Sequence, residues 1–338
     1  MTGGTRICIL GGGSWGTALG HVLSRNGHVV TLWAHDPDVA EEIRTRSTNQ
    51  KYLPGVELSP ALGARAGMAD ALRDAGVVVS ATPSHAVREV FEEARDAFPE
   101  QPLIVSGSKG IEIESGLRMS EVMRDVLGEE RARRLVVFSG PSFAAEMVRG
   151  LPTAVAAAAE RPADARTCQE LFQNDHLRVY TQTDVVGTEL GGSLKNIIAL
   201  AAGISDGLEL GNNARAALIT RGLAELGRLT VALGGEEATL SGLAGAGDLI
   251  LTCTGDLSRN RRAGLAMGRG AGLEEALEEV EMVVEGVPTT RAARRLARRQ
   301  GVEMPIVDAV YSILFEEVGP REALAELMAR DPKPERWS

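Results

Sequence analysis

The chain has 338 residues, a length that suggests two domains with ample buried core and no need of staples. Its 44% hydrophobic and 24% charged residues are those of a globular protein, and no apolar run is long enough to span a bilayer. A formal net charge of -10 argues against broad nucleic-acid binding, which needs net or patched positive charge, yet leaves room for a local basic pocket that takes a small anion.

From the N-terminus, short β-branched runs alternate with helical patterns. Strands are expected over 6–10, 28–33, 77–81, 103–106, 135–139 and 153–158, with helices over 14–26, 37–48, 85–98 and 117–127 between them. The strands read as continuous apolar runs, which suits a parallel sheet covered on both faces, and their alternation with helices predicts a doubly wound, Rossmann-like α/β fold. After a last short strand near 178–181 the texture changes. Helices are expected over 192–202, 214–233, 258–267, 273–279, 288–300, 305–316 and 321–329, with Pro288 and Pro305 in first turns and Gly301 just past a C-terminus. A boundary near residue 187 therefore separates an α/β domain (1–187) from an all-helical one (188–338). The tail from Asp331 is expected to fray. Cys8, Cys168 and Cys253 lie far apart without metal spacing, so they read as reduced, buried thiols. With no secretory pattern at the N-terminus, a cytoplasmic location is the expectation.

The strongest local motif is Gly11-Gly12-Gly13-Ser14-Trp15-Gly16, between the first strand and the first helix. Read as G-x-G-x-x-G, Gly11 permits a tight turn, Gly13 lets the backbone approach a pyrophosphate, and Gly16 lets helix pack on strand. The helix start then faces the phosphates with free N–H groups. The loop alone also fits a flavin nucleotide or a merely structural turn. At the end of the second strand stands Ala34-His35-Asp36, small and neutral where an NAD site usually carries an acid. Asp36 suits the cap of the helix starting at Pro37, and His35 suits contact with a 2′-phosphate. This favours NADP(H), with NAD(H) also possible; the bland alternative for His35 is a surface histidine.

Four further clusters mix polar and small residues. Ser106-Gly107-Ser108-Lys109-Gly110 and Ser139-Gly140-Pro141-Ser142-Phe143-Ala144 each follow a strand, so both lie at the carboxyl edge of the sheet, where such folds bind ligands. Gly191-Gly192-Ser193-Leu194-Lys195-Asn196 is expected to open the first helix of the second domain, and Gly245-Ala246-Gly247-Asp248 precedes Leu251-Thr252-Cys253-Thr254 and then Ser258-Arg259-Asn260.

With these strings in place, the chain resembles the bacterial-type NAD(P)-dependent sn-glycerol-3-phosphate dehydrogenases. The resemblance rests on the glycine loop, Ser108-Lys109-Gly110, the run from Ser139 to Ala144, Leu194-Lys195-Asn196-Ile197, Asn212-Asn213-Ala214-Arg215, the run from Ala244 to Asp248, Ser258-Arg259-Asn260 and Val284-Glu285-Gly286. These matches cover almost the whole chain in order. Departures are mild: Trp15 stands where an aromatic is usual, and Thr82 where Val or Asn is common. The resemblance implies reversible reduction of dihydroxyacetone phosphate to sn-glycerol 3-phosphate, a role in supplying phospholipid synthesis, a C-terminal domain like that of 6-phosphogluconate dehydrogenase, and a homodimer.

It also implies roles. Ketone reduction needs a group to protonate the developing alkoxide, and Lys195 matches the family's acid–base residue. Its apolar neighbours Leu194, Ile197 and Ile198 favour a lowered pKa, and a cation in a helix first turn calls for a functional reason. Lys109 is placed across the cleft at both substrate and cofactor, and Asp248 is placed to bind a substrate hydroxyl or orient Lys195. Ser258 as N-cap, with Arg259 and Asn260 in the first turn, would offer N–H groups, a guanidinium and an amide to the substrate phosphate. Gly140 and Ser142 approach the substrate. Ser14, Trp15, Ala144, Val283, Glu285 and again Arg259 fall to the cofactor; read without the resemblance, Glu285 is a helix cap and Lys109 a loop lysine. No residue pattern suggests a metal. Two rivals remain: a hydroxy-acid or ketopantoate-type dehydrogenase of the same plan, and a non-catalytic NAD(P) sensor.

Overall fold

The protein is described by a computed structural model covering residues 4–332, 334 and 335. Residues 333 and 336–338 of the tail expected to fray lie outside the described residues.

The first half alternates strand and helix: β1 (Arg6–Leu10), α1 (Ser14–Arg25), β2 (Val29–Trp33), α2 (Pro37–Arg46), β3 (Gly63–Arg65), α3 (Met68–Leu72), β4 (Val77–Ser80), α4 (Val87–Ala94), β5 (Leu103–Ser106), α5 (Met119–Leu127), β6 (Leu135–Ser139), α6 (Ala144–Met147), β7 (Thr153–Ala158), α7 (Pro162–Phe172) and β8 (Leu177–Gln182). The strands form one eight-stranded sheet in the order β3-β2-β1-β4-β5-β6-β7-β8. Alternate residues serve opposite faces: Ile7 and Ile9 join one hydrophobic layer, Cys8 and Leu10 the other. That double burial is why the strands read as unbroken apolar runs. The sheet is not wholly parallel as expected, because β6 and β7 pair antiparallel, Ser139 opposite Ala156. Their connection carries only the four-residue α6, too little to form a face-covering crossover, so the chain turns back at the carboxyl edge. The three-residue β3 and the helices α3, α6 and α7 were not expected, the first because three residues show no period.

From Val185 onward the described residues are helical: α8 (Val185–Gly207), α9 (Gly211–Ala232), α10 (Glu237–Leu240), α11 (Asp248–Thr254), α12 (Arg259–Gly268), α13 (Leu273–Val280), α14 (Gly286–Gln300), α15 (Pro305–Phe315) and α16 (Pro320–Met328). A π-turn, Leu243–Gly247, leads into α11. Almost every residue of α8 is buried, with α9, α11, α12 and α14 packed round it. Close approach of α12 is permitted by glycines: a Cβ at Gly264 would overlap the Leu200 carbonyl oxygen. This contact fixes the start of α12 beside the middle of α8.

One expectation is corrected here. The Gly191-Gly192 pair does not open a helix; it lies in the middle of α8, whose N-terminus is capped by Asp184 accepting from the Gly187 N–H at 2.8 Å. The glycines mark tight packing instead. A Cβ at Gly191 would lie 2.6 Å from the Ala244 carbonyl oxygen, and one at Gly192 would overlap the Ser139 hydroxyl. Lys195 is therefore a helix-interior lysine, and the helix dipole gives no reason for its presence.

Candidate active site

At the carboxyl edge of the strands, between the sheet and the helical half, runs a cleft of about 1680 Å³. The glycine loop lies along it, with Lys109, Lys195, Asp248, Ser258, Arg259, Asn260, Val283 and Glu285 on its walls.

The loop is shaped for a dinucleotide. Gly11 takes φ +124°, a conformation that disfavours side chains, and a Cβ there would sit 2.8 Å from the Ala81 carbonyl oxygen. A Cβ at Gly16 would overlap the Gly11 carbonyl oxygen, so α1 packs directly on the turn. At Gly13 an added Cβ would meet nothing within 4 Å. The approach to the loop is thus open where a pyrophosphate would come, and α1 starts at Ser14 with no side-chain cap and no acid in its first turn. These residues fit the diphosphate of a nicotinamide dinucleotide. Gly16 stands behind the wall and Ser14 and Trp15 on it. The Trp15 indole N–H is buried without a partner.

Beyond β2, Ala34 is buried and His35 exposed, its ring edge-on to Trp33 with centroids 6.1 Å apart. Asp36 is committed twice. It caps α2 by accepting from the Asp38 N–H at 3.0 Å, and it accepts from the Lys51 ammonium at 2.8 Å. The lysine holds that carboxyl below its ordinary range. At this end of the cleft stands a carboxylate already paired, with Lys51 and His35 beside it.

At the other end, one carboxylate is shared by two lysines. Lys109, after β5, donates to Asp248 Oδ2 at 2.7 Å and approaches the Gly140 carbonyl oxygen at 3.4 Å. Lys195, from the middle of α8, pairs with Asp248 Oδ1 and donates to Thr252 Oγ1 at 3.0 Å. The Thr252 hydroxyl donates in turn to the Asp248 carbonyl oxygen at 2.6 Å, so towards Lys195 it offers only a lone pair. Lys195 is 6% exposed and Asp248 1%. Burial pushes the Lys195 ammonium down to about 8; Asp248 opposes the fall and Lys109 adds to it. Two of the three ammonium protons are spoken for, which leaves the third for a group in the cleft.

Between these ends, Ser258 caps α12 by accepting from the Arg261 N–H at 3.2 Å. Arg259, next in the chain, makes no hydrogen bond or ion pair among the described residues, although it is half-buried. Burial lowers its pKa and the nearby Glu285 raises it. A desolvated guanidinium without a partner is suited to a phosphate. Asn260 has a structural task the sequence did not announce. Its amide donates one N–H to Asn196 Oδ1 at 3.0 Å and accepts from the Gly286 N–H at 2.8 Å, so it ties α8, α12 and α14 together while its second N–H stays available at the cleft wall. Ser142 donates to the Gly140 carbonyl oxygen at 2.9 Å, and Gly140 itself lies behind the wall. Ala144 lines the cleft at the start of α6, and Val283 is 37% exposed. Glu285 does not cap α14 with its side chain; it accepts from the Ser84 N–H at 3.0 Å and hydroxyl at 2.5 Å, across the cleft.

Thr252, in the run that follows Asp248, and Ser84, in Thr82-Pro83-Ser84, were given no role from the sequence. Thr252 stands four residues after Asp248, a spacing that puts both on one helix face and was open to notice. Ser84 carried no such signal. Among the described residues no group of acids, histidines or cysteines is placed to hold a metal ion, and no helix is long and apolar enough to cross a membrane.

Residues 6–165 match the N-terminal part, and residues 184–325 the C-terminal part, of the NAD-dependent glycerol-3-phosphate dehydrogenase family. The chain is 51% identical over 332 residues to a glycerol-3-phosphate dehydrogenase [NAD(P)+] of Geobacter sulfurreducens, covering 98% of this chain and 99% of that one. It superposes on a crystal structure of glycerol-3-phosphate dehydrogenase from Coxiella burnetii with a TM-score of 0.92 at 41% identity, over 97% and 99% of the two chains. A ketopantoate reductase from Ralstonia eutropha shares the fold alone, with a TM-score of 0.60 at 15% identity over 95% and 100%.

Proposed function

The chain belongs to the NAD-dependent glycerol-3-phosphate dehydrogenase family, and from that premise we propose that it catalyses the reversible reduction of dihydroxyacetone phosphate to sn-glycerol 3-phosphate with NAD(P)H. The observation that carries the reading is the Lys109–Asp248–Lys195 triad, facing the same cleft as the glycine loop and the unpaired Arg259.

In the reduction, a ketone, NAD(P)H and one proton give an alcohol and NAD(P)+. The nicotinamide supplies the hydride to the carbonyl carbon and accepts it in reverse. The rest falls to this chain. Lys195 donates its third proton to the carbonyl oxygen as negative charge develops there, and takes it back in the oxidation. Asp248 keeps that buried ammonium charged and aimed, and Thr252, acting only as acceptor, fixes its second proton. Lys109 stabilises the same oxygen, while Arg259 and the N–H groups at the start of α12 hold the phosphate. Ser14 and Trp15 serve the diphosphate through backbone N–H groups, with Ala144, Val283 and Glu285 on the cofactor's flank. Residues 1–187 hold most of the cofactor and 188–338 supply the acid–base and phosphate groups, with Lys109 reaching the substrate from the first part and Val283 and Glu285 reaching the cofactor from the second. The neutralised Asp36, with Lys51 and His35 near it, supports NADP(H) as the preferred partner and NAD(H) as an accepted one.

The same reading makes the protein a cytoplasmic homodimer that supplies glycerophospholipid synthesis. Three buried, unpaired thiols support a reducing compartment, and exposed Ala216, Ala217 and Val231 along α9 support self-association, which light scattering tests. A carboxylate substrate is less well supported, since its single charge leaves Arg259 and the α12 start without a phosphate to bind. A sensor role leaves the depressed Lys195 without a use. The test is loss of NADPH or NADH absorbance with purified protein. Oxidation that requires dihydroxyacetone phosphate supports the proposal; NADPH binding without oxidation by that ketone overturns it.

A further inference from the structure

The segment after α2 folds back beneath the glycine loop, and one residue of it touches the loop from inside. Asn49 is fully buried. Its amide donates to the Gly12 carbonyl oxygen at 3.0 Å and to Thr17 Oγ1 at 2.8 Å, and its own oxygen accepts from the Tyr52 N–H at 3.3 Å. Thr17 Oγ1 donates to the same Gly12 carbonyl at 3.3 Å. The Gly12 oxygen is thereby held inward by two side chains, one from α1 and one from a segment more than thirty residues away.

That inward pull has an outward consequence. Across a planar trans peptide the C=O of one residue and the N–H of the next point in opposite directions, and among the described residues no peptide is cis. Fixing the Gly12 oxygen towards Asn49 therefore turns the Gly13 N–H away from Asn49, and an added Cβ at Gly13 would meet nothing within 4 Å, so the cofactor can approach this peptide closely. Gly12 and Gly13 have no side chains to hold this peptide, and glycine peptides rotate readily. We propose that Asn49 is a positioning residue for dinucleotide binding: by anchoring the Gly12 carbonyl it presets the Gly13 N–H as a donor to the cofactor's diphosphate. It touches neither cofactor nor substrate. The proposal rests on the reading of the loop as a dinucleotide site.

Asn49→Asp tests it, because it keeps shape while replacing the donor by an acceptor. At pH 8 the buried carboxylate faces the Gly12 carbonyl oxygen, the peptide is released or reversed, and a negative charge sits under the diphosphate. NADPH affinity, measured by quenching of tryptophan fluorescence, should fall by about 10–100-fold, the range for losing a buried donor and leaving its acceptor unpaired. On acidification to pH 6 the carboxyl takes up a proton, regains a donor, and should recover several-fold of that loss relative to the wild type. Turnover at saturating NADPH and the KM for dihydroxyacetone phosphate should stay within about threefold, since Lys195 and Arg259 are untouched. Asn49→Ala should weaken NADPH binding without the pH recovery. Should Asn49→Asp not fold, Thr17→Val, which removes the second anchor of the same carbonyl, should raise the NADPH dissociation constant by about 3–10-fold. Unchanged NADPH affinity in the folded variants, or a loss confined to turnover, overturns the proposal. Failure of the wild type to bind NADPH at all would overturn the underlying reading of the loop instead.

Discussion

Asp248→Asn removes one charge and keeps the shape of the residue on which Lys109 and Lys195 converge. At the 2.7 Å of the Lys109–Asp248 pair, two unit charges attract by roughly 6 kcal/mol at an effective dielectric of about 20, before any desolvation is set against it. Asp248 is the largest influence holding the Lys195 pKa up against burial, which already brings it to about 8. Without that carboxylate the buried Lys195 ammonium faces the half-buried Lys109 ammonium across a neutral amide, and the Lys195 pKa should fall by a further 1–3 pH units or so. At pH 7.5 the fraction of protonated Lys195 then drops by about 3–240-fold, and ketone reduction drops with it. The assay is the pH profile of kcat/KM for dihydroxyacetone phosphate. In the wild type reduction should decline as pH rises through about 8, because the acid loses its proton; the reverse oxidation should rise through the same region. In Asp248→Asn the decline should move to lower pH. A profile that keeps its midpoint, whatever its height, would refute the assignment of Lys195 as the titrating acid set by Asp248.

Three other perturbations bear on separate parts of the account. Arg259→Ala should lower kcat/KM for dihydroxyacetone phosphate by about 10–100-fold through loss of charged hydrogen bonds to the phosphate, measured in the same steady-state assay; an unchanged value removes Arg259 from the phosphate site. Lys51→Glu frees Asp36 and adds a second negative charge at the adenosine end, so the NADPH:NADH ratio of kcat/KM should fall by about tenfold or more. A constant ratio would place the 2′-phosphate elsewhere. Glu225 is buried in α9, accepting from the Ile306 N–H at 2.8 Å at the start of α15, and burial pushes its carboxyl up to about 7 from an ordinary 4.5. The folded chain therefore holds a proton that the unfolded chain releases, and stability should decline as pH rises from about 4.5 through 7, by at most about 3 kcal/mol. Glu225→Gln should flatten that part of the thermal-melting profile against pH; an unaltered slope would show that Glu225 does not titrate there.

What was legible in the sequence was local. The turn at Gly11, the Asp36 cap before Pro37 and the Ser258 cap before Arg259 depend on a few adjacent residues, and each stands in the structure where expected. What was not legible depended on partners distant in the chain. Gly191 and Gly192 looked like a helix boundary because glycine is a poor helix former, but the π-turn before α11 and the Ser139 hydroxyl press against them and admit no larger residue. The reversal of β7 follows from a connection without a covering helix, which strand composition cannot register. Asn260 was read from its place in a helix first turn, but its bonds to Asn196 and Gly286, residues brought in by α8 and α14, had no local signal. Lys195 shows both sides. Its apolar neighbours announced burial, while its carboxylate, fifty-three positions later, became visible only when α11 folded against α8.

The most direct test is Lys195→Ala, measured for NADPH oxidation in the presence of dihydroxyacetone phosphate and, separately, for NADPH binding. The account predicts turnover reduced by about 10²–10⁴-fold, the usual contribution of a positioned acid–base group, with NADPH affinity close to that of the wild type. Near-normal turnover with intact binding would contradict it and move the proton to another group in the cleft.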